Sequence, residues 1–196
     1  TVDTTAPVAS VGLTHDATSD TGSSTADGLT ANPKPVLTGT AEPNSTATVT
    51  VTDAAGHSVI YQVPTDASGA WQLPLATATP TSGNLPSAGL SDGPVQLQVT
   101  STDAAGNTTT ATGSFTEDHT APLAPTVSIL PDANNDGVLT AAELGGVTAV
   151  PIRVGLPTGA QPGDTLTVSD GTTSQTHVLT SADISNAYWD TTAARP

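Results

Sequence analysis

Oxygen-bearing side chains recur at fixed spacing in one stretch of this sequence, Asp132-Ala133-Asn134-Asn135-Asp136-Gly137-Val138-Leu139-Thr140-Ala141-Ala142-Glu143. It satisfies the calcium-loop pattern D-x-[DN]-x-[DN]-G-x5-E at every specified position. The chemistry is all-oxygen coordination of a hard divalent cation. Asp132, Asn134 and Asp136 offer side-chain oxygens, Val138 a carbonyl, Thr140 a direct or water-mediated ligand, and Glu143 two oxygens, while Gly137 permits the sharp turn. The flanks depart from a helix pair. Pro125–Pro131 reads as a strand, and Gly145-Gly146 stops any outgoing helix after about one turn. The spacing therefore predicts a structural ion rather than a sensor, which works by opening two helices against each other. An unliganded Asx-rich turn is the alternative.

A second acidic loop, Asp16 to Gly28, stands at the matching place of an internal repeat and carries Asp16, Asp20 and Asp27 without a recognised ligand register. A flexible acidic loop explains it equally well. Two near-identical turns, Thr52-Asp53-Ala54-Ala55-Gly56-His57 and Thr102-Asp103-Ala104-Ala105-Gly106-Asn107, suit hairpins and need no metal. In a sandwich, Asp3, Asp103 and Asn107 would gather at the entrance pole. Asp16, Asp20, Asp27 and Asp53 would gather at the exit pole, beside Glu117 and Asp118. Each pole is a candidate calcium clamp, and an ion there would stiffen a joint that is otherwise hinged.

The charge agrees with cation uptake. Eighteen Asp and Glu stand against three Lys and Arg in 196 residues, a formal charge of −15. Such a chain repels nucleic acid and anionic membranes, and its carboxylates suit calcium; solubility outside the cell is the plainer reading of the same acidity. The chain has no cysteine, which excludes disulfides, thiolate metal sites and a cysteine nucleophile. The four histidines, His15, His57, His119 and His177, fall at turns or strand edges with no HExxH pair, GxSxG elbow or P-loop, so no enzyme is expected. Trp71 and Trp189 could stack on a sugar, but a sandwich more often buries its tryptophan.

The elements that must position these residues are strands. Val-, Thr-, Leu- and Ile-rich segments alternate with Gly, Pro, Asn, Asp and Ser clusters, the pattern of an all-β fold. Strands are predicted near 8–13, 35–40, 46–52, 58–63, 70–75, 95–101 and 108–116, which suits an immunoglobulin-like Greek-key sandwich. Asp3-Thr4-Thr5-Ala6-Pro7 returns as Asp118-His119-Thr120-Ala121-Pro122. The repeat predicts two tandem modules, residues 1–117 and 118–196. In the second, strands are predicted near 125–130, 147–155, 165–169 and 176–179, and this module reads as truncated before its last strands. A partner completing its open edge is the alternative.

Taken with the Asp-x-Thr-Ala-Pro joints, Leu37-Thr38-Gly39-Thr40-Ala41-Glu42-Pro43-Asn44-Ser45, Ala67-Ser68-Gly69-Ala70-Trp71 and the Asp132–Glu143 loop, the chain resembles the tandem Ig-like repeats of giant RTX or biofilm-associated adhesins exported by type I secretion. The resemblance implies a secreted, extracellular, calcium-binding extender at the bacterial cell surface. It implies calcium at the module joints, neighbouring Ig-like modules as partners, and other domains contacting the host or abiotic surface. A glycan- or protein-binding adhesive module is the competing function, and it predicts an exposed aromatic cluster or a ligand-sized pocket.

Overall fold

A computed structural model describes residues 2–22, 24–134 and 136–194. Ser23 and Asn135, which fall inside the two acidic loops, lie outside the described residues, as do Thr1, Arg195 and Pro196. The chain divides into two compact units, Thr1–Thr120 and Ala121–Pro196.

The first unit is a two-sheet immunoglobulin-like sandwich. Its strands are β1 (Ser10–Leu13), β2 (Leu29–Thr30), β3 (Val36–Thr40), β4 (Thr46–Thr52), β5 (Ser58–Pro64), β6 (Ala70–Pro74), β7 (Gly93–Thr102) and β8 (Thr108–Glu117). One sheet has the order β1-β3-β6 and the other β2-β8-β7-β4-β5. The chain changes sheet across the Asp16–Gly28 loop, since β1 pairs antiparallel with β3 while β2 pairs parallel with β8.

Period-two alternation builds the core. In β4, Ala47, Val49 and Val51 point inward and the intervening threonines outward; in β7, Val95, Leu97 and Val99 do the same. These side chains join Leu13, Leu37, Val59, Tyr61, Val63, Trp71, Leu73, Leu90 and Phe115 in one cluster. The exposed β-branched threonines favour the extended backbone without entering the core. The β7–β8 hairpin pairs ten residues on each side, ending at Gly93 opposite Glu117, and so delivers the loop before β7 to the point where the chain leaves the sandwich.

The second unit has β9 (Thr126–Ile129), β10 (Ala149–Gly155), β11 (Thr165–Ser169), β12 (Ser174–Val178) and β13 (Tyr188–Ala194). They form a sheet of order β13-β10-β9 and a separate β11-β12 pair. Two short helices interrupt them, α1 (Ala141–Leu144) and α2 (Ser181–Asn186), each opened by a threonine capping box. The core is thin: Val150, Ile152, Val154 and Leu179 are buried, whereas Val127, Ile129 and Leu130 are exposed.

Strand β13 was not expected, because the predicted strands of the second module end near 176–179 and the module reads as truncated before its last strands. It pairs with β10 along seven residues. Arg153 holds it through two 2.7 Å hydrogen bonds to Asp190 and lies 3.6 Å from the Tyr188 ring centre. No helix among the described residues is long and apolar enough to cross a membrane.

Candidate metal centre

Acidic side chains collect in three places. At the entrance pole, the β7–β8 turn is tied to the start of the chain through Asn107, whose amide donates to the Asp3 carbonyl at 3.2 Å and to Asp103 Oδ2 at 2.8 Å. Asp103 Oδ1 accepts from the N–H groups of Ala105 and Asn107. The Asn107 amide is the main cause that holds the Asp103 carboxyl below its ordinary range. Asn107 thus joins the Asp103 carboxylate to the Asp3 backbone, while the Asp3 carboxylate accepts from Thr5 N–H at 3.0 Å.

The exit pole is built where β2, β7 and β8 end or begin. Asp16 turns back on its own loop, accepting from the Thr18 hydroxyl at 2.7 Å and from the Thr18 and Ser19 N–H groups, and the Thr18 hydroxyl leads in lowering its pKa. Asp27 accepts from Leu29 N–H at 3.1 Å. Asp20 is wholly buried: Oδ2 meets His15 Nδ1 at 2.9 Å and Gly28 N–H at 3.4 Å, while Oδ1 has no hydrogen-bond partner. Asp118 keeps an exposed side chain, and its N–H donates to the Thr30 carbonyl.

Nearby, Asp53 follows β4 and is buried. It accepts from His57 N–H, from Ser91 N–H and at 2.8 Å from His57 Nδ1. Burial alone would raise its pKa, but the donors of His57 and Ser91 outweigh it and hold the carboxyl at about 2. A depressed native pKa contributes stability above the unfolded value and loses it as pH falls through the native value. Asp53→Asn is therefore expected to flatten the loss of stability between about pH 4 and pH 2, measured by urea unfolding across that window.

Glu117, the last residue of β8, is wholly buried; burial raises its pKa, with His119 opposing. Its Oε1 lies 3.0 Å from His119 Nδ1, and Oε2 has no partner. His119 Nδ1 also lies 2.7 Å from Asp92 Oδ1. Asp92 accepts from the His119 N–H at 2.9 Å and from the Thr120 hydroxyl, and the hydroxyl leads in lowering its pKa. Ligand atoms of Asp92, Glu117 and His119 all lie within 4.8 Å of one another. Sequence reasoning missed this grouping. Glu117 and His119 are close in sequence, but only the β7–β8 register brings Asp92 beside them.

In the second unit, the Asp132–Glu143 loop curls around its first carboxylate. Asp132 Oδ1 accepts from Asp136 N–H at 3.2 Å and Oδ2 from Gly137 N–H at 2.9 Å. Asn134 donates to Asp136 Oδ2 at 2.8 Å, and Asp136 Oδ1 accepts from Val138 N–H. Gly137 takes φ +78°, a region that side chains disfavour. Thr140 caps α1, and its N–H and hydroxyl both donate to Glu143 Oε2, at 2.9 and 2.8 Å. Those two bonds hold the Glu143 carboxyl below its ordinary range, while the charge of Asp136 works the other way. The donor set is all oxygen, as calcium requires, while Glu143 is turned to its Thr140 cap, and among the described residues the three carboxylates are not gathered within ligand distance of one another.

Every histidine meets a carboxylate. His15, His57 and His119 each face a wholly buried one, and His177 Nε2 lies 3.0 Å from Asp183 Oδ2. Trp71 is a core residue, whereas Trp189 is half-buried with His177 stacked on it at 4.6 Å.

No curated protein matches the chain. Among solved structures it is similar to a tetra-tandem repeat in the extending region of a large adhesion protein, at 23% identity and a TM-score of 0.42, covering 98% of this chain and 42% of that one. It is similar to a Ca2+-stabilized adhesin with which an Antarctic bacterium reaches out and binds ice, at 26% identity and a TM-score of 0.40, covering 98% and 42%. It is also similar to a 1.5-MDa bacterial ice-binding adhesin, at 21% identity and a TM-score of 0.43, covering 98% and 55%. The chain thus spans about half the length of these structures. Residues 5–119, more than half of the chain, match the bacterial Ig-like domain, and the chain belongs to that family.

Proposed function

We propose that this chain is a structural, non-catalytic extender segment of a secreted bacterial cell-surface adhesin, which projects a distal adhesive domain in cell adhesion and biofilm formation. Calcium held by the Asp132–Glu143 loop and by Asp16, Asp20, Asp27 and Asp118 at the exit of the first module stiffens it. The observation that carries the calcium part is Asp20, wholly buried in a chain of charge −15 with Oδ1 lacking any donor. A buried carboxylate oxygen without a partner is costly, and a hard cation removes that cost. Family membership and two tandem units support the extender role.

Extracellular calcium modules bind at about 10⁻⁴ to 10⁻³ M, so millimolar calcium adds about 0.4–1.4 kcal/mol per site. The test is thermal unfolding with small-angle scattering in excess EDTA and then in millimolar calcium, on this chain and on the Asp132→Ala, Glu143→Ala double variant. Calcium is expected to raise the midpoint and the maximum dimension, by less in the variant. Equal midpoints and dimensions in EDTA and calcium would overturn the reading.

A further inference from the structure

We propose that Asp92, Glu117 and His119 form a site for a borderline transition-metal dication of the zinc class, independent of the calcium loop. The deciding feature is a nitrogen among carboxylates. His119 Nδ1 stands 2.7 Å from Asp92 Oδ1 and 3.0 Å from Glu117 Oε1. One ring nitrogen carries at most one proton, so it cannot donate fully to both oxygens. A dication bound by all three atoms replaces that shared proton and neutralises both carboxylates.

The three ligand atoms are within reach of one ion. Metal–nitrogen and metal–oxygen bonds of about 2.0–2.2 Å place neighbouring ligand atoms of a tetrahedral site roughly 3.4 Å apart, so the pairs at 2.7 and 3.0 Å open by about half an ångström when an ion replaces the shared proton. Calcium is the poorer occupant, because it asks for six to eight oxygens, whereas imidazole selects zinc and its neighbours in the first transition row. Three protein ligands leave positions for water, for which the partial exposure of Asp92 and His119 gives access.

The independent sign of a missing ligand is Glu117 Oε2. It belongs to a carboxylate with no solvent exposure, whose other oxygen faces the histidine, and it has no hydrogen-bond partner. A metal that takes both Glu117 oxygens would give Oε2 the partner it lacks. The groups around the site are also arranged as outer partners. The Thr120 hydroxyl and the His119 N–H both donate to Asp92 and fix its orientation. Glu117 is held by strand pairing with Gly93 at the end of the β7–β8 hairpin, so one ligand rests on strand backbone, and Asp92 and His119 flank that hairpin end. Because His119 and Thr120 follow the last strand, the ion would pin the departing chain to the first unit.

The test uses the whole 196-residue chain, stripped with EDTA, then dialysed into chelator-free buffer with 2 mM calcium at pH 7. Zinc is titrated by calorimetry, and cobalt(II) serves as a spectroscopic probe through its visible absorption. The expected result is one equivalent of zinc bound at micromolar concentration in the presence of calcium. In His119→Ala and in Glu117→Gln that affinity falls at least tenfold and the cobalt band is lost. The Asp132→Ala, Glu143→Ala variant keeps both, which separates this site from the calcium loop. Unfolding midpoints measured without metal verify that each variant is folded. Absence of zinc binding, or zinc binding that is unchanged in His119→Ala because other histidines hold it, would overturn the proposal.

Discussion

Replacing Trp71 with alanine is expected to destabilise the first unit by about 3–5 kcal/mol, the range for removing a large buried aromatic. Trp71 is 3% exposed and sits in the core cluster of the first unit, opposite Gly39 across the β3–β6 ladder. A domain of this size is stable by only about 5–15 kcal/mol, so the loss is a large share of the whole, and the midpoint should fall by on the order of 10–20 °C. The cause is packing alone, since the indole N–H is buried without a hydrogen-bond partner. Trp71→Phe keeps much of the apolar surface, loses the remaining carbons of the indole and sheds an unsatisfied donor, so its cost should be about 1–2 kcal/mol. Urea denaturation of both variants measures the contrast. Equal losses would overturn the account that the retained ring surface holds the core.

Gly39→Ala is expected to cost about 3 kcal/mol, through overpacking. A Cβ at this position would overlap the Ser10 carbonyl oxygen and come within 2.5 Å of Trp71 Cζ2. The indole could shift, but the Ser10 carbonyl belongs to β1, which is paired with β3 from Ser10 opposite Thr40 to Leu13 opposite Leu37. Relief therefore requires β1 to lift from the sheet. Amide hydrogen exchange should show lost protection in β1 first, with β7 and β8 less affected, and unchanged β1 protection would refute this route. The glycine of Leu37-Thr38-Gly39-Thr40 is thus explained by the close approach of a backbone and a large ring at one point.

Much of the fold was legible in the residues. Alternating Val and Thr in Thr46–Thr52 located β4 to the residue, and Gly145 ended α1 after four residues, where the glycine pair predicted it. Strand β2 was illegible because two residues carry no period, and it exists only because Thr30 finds Glu117 beside it. Helix α2 had a readable sign in Thr180 and Asp183, a capping box that short length obscured. The order of oxygen donors in Asp132–Glu143 was likewise visible, being local in sequence. The entrance grouping of Asp3, Asp103 and Asn107 was inferred from sandwich topology; Asn107 bridges the Asp103 carboxylate and the Asp3 backbone carbonyl, while the Asp3 carboxylate accepts from Thr5 N–H.

The sequence by itself determined what depends on neighbours along the chain. It set the strand periodicity, the turn chemistry, the acidic balance, and the ligand order of a loop whose donors are consecutive. Only the tertiary structure decided which carboxylates lose water and which histidine faces them. Asp20, Asp53 and Glu117 are no more acidic in type than Asp16 or Asp27, yet packing buries the first three and leaves the other two in solvent. Asp92 reaches His119 because a ten-residue hairpin closes in one register. Burial and long-range register are sums over many distant contacts, and no local spacing encodes them.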